Sequence, residues 1–187
     1  MKRSTWILLV IFVALTGLFF YLNRQGNAPQ DDLEIETPEP VEFLFNEESG
    51  VPTGIEIADA DGNVVQIMRN EAGVWMLEQP IETEADQGMA EAATSQVTAL
   101  RILSTLELAP DQAGLVPPSY VVTVDFSSGE RFTLQVGDLT PTQSGYYVRL
   151  GNSAEIHIVS KPGLDSLLSL LEKPPYPNPA EEPSYGN

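Results

Sequence analysis

Apolar positions along this chain follow three successive patterns. Trp6 to Leu22 is an almost continuous apolar run, interrupted by Thr16 and Gly17. Residues 25–40 are polar, acidic and Pro-containing. From Val41 onward apolar residues return, first in alternation and then at three- and four-residue steps. Each pattern predicts a different kind of structure.

The first predicts a transmembrane helix. Residues 4–23 are twenty uncharged residues, which as a helix extend roughly 30 Å, the thickness of a bilayer's hydrocarbon core. Trp6 and Tyr21 stand near the two ends, where amphipathic rings favour the interface. Lys2 and Arg3 precede the span and only Arg24 closely follows it, so the N-terminus is expected in the cytoplasm and the remainder outside. A cleaved signal peptide competes with this reading. Its apolar region is normally about 7–15 residues, shorter than this one. The best small-x-small site, Gly26-Asn27-Ala28, would place Pro29 after the cut. The expectation is therefore an uncleaved signal anchor over 1–24, then an acidic tether over 25–40.

The second and third patterns predict an α+β domain over 41–172, with halves 41–108 and 119–172. Val41–Phe45 reads as a short strand. Ile55 and Ile57 alternate on one side of Asp59-Ala60-Asp61-Gly62-Asn63, and Val65 and Ile67 on the other, which signals a hairpin. Gly73–Leu77 is a third strand, ended by Pro80. Thr83–Asp86 resembles a capping box, and Met89, Ala93, Val97, Leu100, Leu103 and Leu106 then recur at helical spacing, predicting a helix of about 20 residues. After a loop over 109–118 the order restarts: strands over 120–126, 131–136, 144–150 and 155–159. Ser160 is the expected cap of a second helix, with Pro162 in its first turn and Leu164, Leu167, Leu168 and Leu171 as its buried face. Residues 173–187 hold five prolines and read as an extended, disordered tail.

Placing Gly62 on Gly129 pairs Ile55 with Val122, Ile57 with Val124, Val65 with Phe132 and Ile67 with Leu134, and brings Trp75 near Tyr146 and Tyr147. Two readings stand: duplication of a βββα unit, or a chance likeness of two meander-plus-helix segments. Either gives antiparallel strands with helices on one face.

Charge narrows the partners. The net charge is −18, and three of the nine basic residues flank the anchor, leaving six against 27 acids, a net of −21 beyond it. Such a surface repels nucleic acid and anionic headgroups. The chain has no cysteine, which removes disulfides, thiol nucleophiles and thiolate metal sites.

The ordered part resembles the bacterial domain family DUF4340. Gly73-Val74-Trp75-Met76-Leu77-Glu78-Gln79-Pro80 is similar to that family's W-x-L-x-x-P strand. Ala113-Gly114-Leu115 and Pro117-Pro118 are similar to its GL-x-x-P turn. Val121, Thr123, Val124, Leu134, Val136-Gly137 and Ser144–Val148 continue the likeness. The family's acid beside the GL turn is absent from Gln112–Val116. The resemblance covers about half of the chain and implies a membrane-anchored extracytoplasmic domain without an assigned reaction. Some relatives are accessory to ABC-type export or gliding-associated systems. It implies no site residues.

The candidate chemistry is sparse. His157 is the single histidine. By alternation it shares a face with Glu155 and Val159, opposite Ile156 and Ile158, which predicts a solvent-side residue without a catalytic or metal role. No Gly-x-Ser-x-Gly, P-loop, Gly-x-Gly-x-x-Gly or His-Glu-x-x-His motif is present. Asp59, Asp61 and Asn63 place oxygens at alternate positions as a calcium loop does, but Val64 and Asn70 stand where the EF-hand needs Gly and Glu; a hairpin turn is the expectation. Trp75 is expected in the core, and one of Tyr146 and Tyr147 must face outward. No catalytic, cofactor-binding or metal-binding residue is assigned.

The leading expectation is thus a non-enzymatic interaction or scaffolding domain in the cell membrane, in contact with the bilayer through 4–23 and with transporter subunits as candidate partners. An extracytoplasmic ligand-binding or sensory subunit is the alternative. A hydrolase with an unrecognised carboxylate site ranks below both.

Overall fold

The computed structural model describes Phe12, Thr16, residues 41–45 and residues 49–177. The chain divides into two units, Met1–Pro40 and Val41–Asn187. In the first, Phe12 and Thr16 are helical, and the Thr16 hydroxyl donates to the Phe12 carbonyl at 2.8 Å. The rest of the expected span, the tether and residues 178–187 of the tail lie outside the described residues. Among the described residues no helix is long and apolar enough to cross a membrane.

The second unit is α+β. Its strands are β1 (Pro52–Asp59), β2 (Val64–Arg69), β3 (Trp75–Gln79), β4 (Thr83–Glu84), β5 (Ile102–Leu106), β6 (Tyr120–Phe126), β7 (Arg131–Leu139), β8 (Gly145–Leu150) and β9 (Ile156–Ser160). They form one antiparallel sheet in the order β4-β3-β2-β1-β6-β7-β8-β9-β5. Helices α1 (Gln87–Thr98) and α2 (Lys161–Glu172) pack side by side on one face. Alternation explains the burial: Ile55, Ile57, Val65, Ile67, Val122, Val124, Leu134 and Val136 point at the helices and are at most 2% exposed. Ala90, Ala93 and Val97 of α1, with Leu164, Leu167, Leu168 and Leu170 of α2, close the core over them.

Two four-strand meanders, each followed by a twelve-residue helix, meet at the β1–β6 pair. Several of their turn hydrogen bonds correspond, although the turn over 140–145 is one residue longer than that over 70–74. Asp59 N donates to Asn63 O and Phe126 N to Glu130 O. Gly73 N donates to Asn70 O and Gln143 N to Thr140 O. Gly73 has φ 82°, and Gln143, at the corresponding place, is the one non-glycine residue with positive φ among those described (55°). The turn geometry is kept there in spite of the side chain, which disfavours it.

Several expectations are corrected. The first helix ends at Thr98, so Leu103 and Leu106 belong to β5, an edge strand on β9. Leu103 is 46% exposed, as the edge position allows. Thr83 is no cap: Thr83–Glu84 is β4, paired with β3, and Asp86 is the N-cap, its Oδ1 accepting from Met89 N at 2.8 Å. Met89, expected in the buried stripe, is 39% exposed in the first turn of the helix, whereas Ala93 and Val97 further along the same face are buried. Val41–Phe45 makes only an isolated bridge, Phe43 to Arg101. Ser160 is the N-cap of α2 without a side-chain hydrogen bond. Leu170 is buried where Leu171 was expected to be, and Leu171 packs at the margin. The repeated unit has four strands rather than the three of a βββα unit; in the first half the fourth, β4, is two residues long and gives no alternation signal.

Candidate functional site

Two features of the second unit are large enough to meet a partner. One is a cavity of about 380 Å³ on the helix side. The C-terminal half of α2 forms one wall with Leu168, Leu171 and Glu172; Asp59, Tyr120 and Tyr146 reach it from the ends of β1, β6 and β8. Asp165 lies at its base. The Tyr146 hydroxyl donates to Asp165 Oδ1 at 2.7 Å, and Lys161, one turn earlier on α2, pairs with Oδ2. Lys161 Nζ also lies 5.8 Å from the centre of the Tyr146 ring. Burial, and then the bond to Asp165, push the Tyr146 phenol well above its ordinary value. Burial pushes the Asp165 carboxyl up, but the Lys161 and Tyr146 hydrogen bonds outweigh it and hold the group below its ordinary value. Tyr146 therefore keeps its proton and Asp165 its charge near pH 7. Neither is poised to exchange a proton there.

The first half has a partial counterpart, in which the cation comes from β2 instead of from the helix and the ring makes no bond to the acid. Trp75 occupies the place of Tyr146 and is fully buried, Glu91 stands for Asp165, and Arg69 pairs with Glu91 while lying 4.8 Å from the Trp75 ring centre. There the indole Nε1–H and Arg69 Nε have no hydrogen-bond partner. The ring face gives the Arg69 guanidinium an electrostatic partner.

The second feature is the sheet face turned away from the helices. Glu56, Ala58, Gln66, Met68, Val121, Thr123, Asp125, Thr133, Gln135 and Arg149 stand on it, and all are half-buried. Arg131 joins them, its Nε and Nη2 donating to Asp125 at 2.5 and 2.8 Å, a bond that raises the guanidinium further above its ordinary value. Arg149 donates from two nitrogens to Gln135 Oε1. Among the described residues, a covering segment lies over the end of this face at β8 and β9. A 3-10 turn (Pro110–Ala113) crosses there, and Ala113 and Leu115 bury Ile156 and pack on Tyr147. Gly137 is required at that crossing, because a Cβ would overlap the Ala113 carbonyl oxygen.

The residues singled out in the sequence do not converge on one site. Trp75 is in the core. Tyr146 and Tyr147 face opposite sides of the sheet, Tyr146 to Asp165 and Tyr147 to the 3-10 turn. His157 shares the helix-side face with Val159 at the sheet margin, half-buried, its Nδ1 2.9 Å from the Thr105 hydroxyl. It borders a smaller cavity with Glu42, Phe43 and Phe132. Asp59 is turned inward on its own loop: Oδ1 accepts from the amides of Asp61 and Asn63, and Oδ2 from the Asn63 side chain. The last bond, chiefly, with the backbone amides, lowers its pKa against the opposing effect of desolvation. These oxygens serve the hairpin turn. Among the described residues no group of three or more His, Cys, Asp or Glu side chains is placed to hold a metal ion.

No family model matches the chain, and no curated protein or solved structure matches it.

Proposed function

We propose that this protein is a membrane-tethered extracytoplasmic interaction or scaffolding domain, held by a helix over 4–23 and accessory to a transport system. On this reading the two halves are copies of one four-strand-plus-helix unit, and the likeness to DUF4340 reflects a shared role. The single observation that carries it is the open sheet face. Over β2, β1, β6, β8 and β7 as far as Val136, its ionised groups are Glu56 and Asp125 against Arg131 and Arg149. It is thus balanced in charge on a chain of net charge −18. Acidic surroundings repel most macromolecular surfaces, and a neutral patch of small, β-branched and Met side chains is where a protein surface can dock. Crosslinking and pull-down from native membranes tests this. Recovery of transporter subunits supports the accessory role; recovery of nothing above background overturns the interaction reading.

The cavity beside α2 favours the second reading, an extracytoplasmic subunit that binds a small ligand. Its carboxylates and tyrosine rings suit a cationic one. Calorimetric titration of the full chain with organic ammonium compounds tests it, and no heat at millimolar ligand ends it.

A further inference from the structure

We infer that the open sheet face pairs with the same face of a second copy of this chain, forming a two-fold dimer in which the acids of β1 and β6 lie over the arginines of β7 and β8. This rests on the reading of that face as an interaction surface and names its partner. The argument begins with register. Asp125 on β6 is directly opposite Arg131 on β7, so the two stand at the same height on neighbouring strands. A two-fold axis running between β6 and β7, parallel to the strands, places Asp125 of each copy over Arg131 of the other. The same rotation places β1 of each copy over β8 of the other, because the order is β1-β6-β7-β8. Glu56 then faces the strand that carries Arg149. Glu56 is level with Thr123 and Thr133, whereas Arg149 is level with Gln135 and Val121. The offset is two residues, about 7 Å along a strand, which an arginine side chain spans.

Neighbouring arrangements match the charges less well. An axis one strand over, between β1 and β6, would set Glu56 near Asp125 across the interface, like against like. An axis across the strands would lay each acid-bearing strand on its own copy. The rows between the charges are small or β-branched, with Ala58, Val121, Thr123 and Thr133. Such rows let two sheets approach to about 10 Å. The rest of the chain's surface, rich in acids, repels its own copy, so the neutral face is the one self-association leaves open. Five strands from β2 to β8 at about 4.8 Å spacing and roughly 20 Å length give a flat footprint of roughly 480 Å² per copy. That lies below the roughly 800 Å² per partner of a standard interface, and side-chain relief adds to it. The dimer is therefore weak in free solution and gains from confinement of both copies to one membrane, which raises their effective concentration.

The absence of cysteine gives a clean test. Thr123→Cys in the full-length chain, treated in native membranes with a short bismaleimide, is expected to give a crosslinked dimer of the chain. Thr98→Cys, exposed at the end of α1, is expected to give none. A charge exchange in the Thr123→Cys background then tests the register. Arg131→Glu with Arg149→Glu, and separately Glu56→Arg with Asp125→Arg, should each reduce self-crosslinking roughly tenfold. Co-expressing the two variants should restore it, and an unchanged far-UV circular dichroism spectrum shows that each is folded. Folded variants that do not recover on mixing overturn the dimer. Crosslinks from the Thr123→Cys thiol only to other proteins overturn the second-copy assignment and leave the interaction reading standing. No crosslink of any kind from that thiol overturns both.

Discussion

The backbone amide of Asp86, the cap of α1, donates to the carbonyl of Pro175, which lies beyond the end of α2, at 2.9 Å. The reciprocal bond is also present. The amide of Ser160, the cap of α2, donates to the carbonyl of Arg101, just past α1, at 3.2 Å. Each helix start is thus held by the chain leaving the other helix. After Arg101 that chain continues as β5 along β9. The two halves are consequently interlocked at their helix ends as well as joined through β1 and β6, and neither closes its own helix–sheet corner alone.

The crossing makes the segment after α2 structural. Pro175 is buried and supplies the carbonyl. A chain ending at Lys173 should be about 1–2 kcal/mol less stable than one ending at Pro177, through one lost hydrogen bond and the lost burial of the ring. The difference in urea midpoint between the two truncations measures it. Equal midpoints would mean that the Pro175 bond adds nothing.

The caps themselves are unequal. Asp86 Oδ1 satisfies the Met89 amide, whereas Ser160 makes no side-chain bond to its helix. Asp86→Ala should therefore cost about 1 kcal/mol and Ser160→Ala no more than a few tenths. Thermal melts of the two variants side by side check this. A Ser160→Ala loss as large as that of Asp86→Ala contradicts it.

The strands were legible wherever one face is buried and the other open. Ile55 and Ile57, Val65 and Ile67, and Val122 and Val124 alternate because the sheet has a wet side. Legibility failed where local spacing and tertiary pairing disagree. Leu100, Leu103 and Leu106 keep a helical interval, yet Ile102–Leu106 pairs with β9, because pairing there covers an edge of β9 that a longer helix would leave open. No Gly or Pro marks the break after Thr98. The candidate sites were invisible for another reason. Asp59, Tyr120, Tyr146 and Asp165 meet only because β1 and β6 are neighbours and α2 folds back over them. The open face is a property of strand order, which single-strand patterns do not contain.

The Tyr146–Asp165–Lys161 group gives a pH signature with a definite sign. Asp165 is held below its ordinary value of 3.8, so its contribution is present above about pH 4 and is lost as pH falls through the depressed folded value. Tyr146 is shifted the other way, above 10.0. Its contribution is present below about pH 10 and is lost as pH climbs beyond. Asp165→Asn should flatten the acid limb of the stability curve between about pH 4 and 2, and Tyr146→Phe the alkaline limb above about pH 10. Urea denaturation across these ranges measures both limbs. Unchanged slopes would show that the pair is solvated in solution.

The proposed anchor fixes which parts of the chain a membrane-impermeant reagent can reach. Lys2 and Arg3 precede the uncharged span, and the acids begin at Asp31, so the N-terminus is proposed inside and the α+β unit outside. Gly62→Cys lies in the exposed β1–β2 turn, with open space where its Cβ would stand, although φ is 90°. That strain costs about 1 kcal/mol. Ser4→Cys stands at the proposed cytoplasmic edge of the span, next to Arg3. In intact cells an impermeant maleimide should label the Gly62→Cys chain and not the Ser4→Cys chain, while lysed cells should show both. Sequencing of the mature N-terminus should show that residues 4–23 are retained. Labelling of the Ser4→Cys chain in intact cells would reverse the orientation, and a mature chain beginning near Pro29 would replace the tether with a released domain.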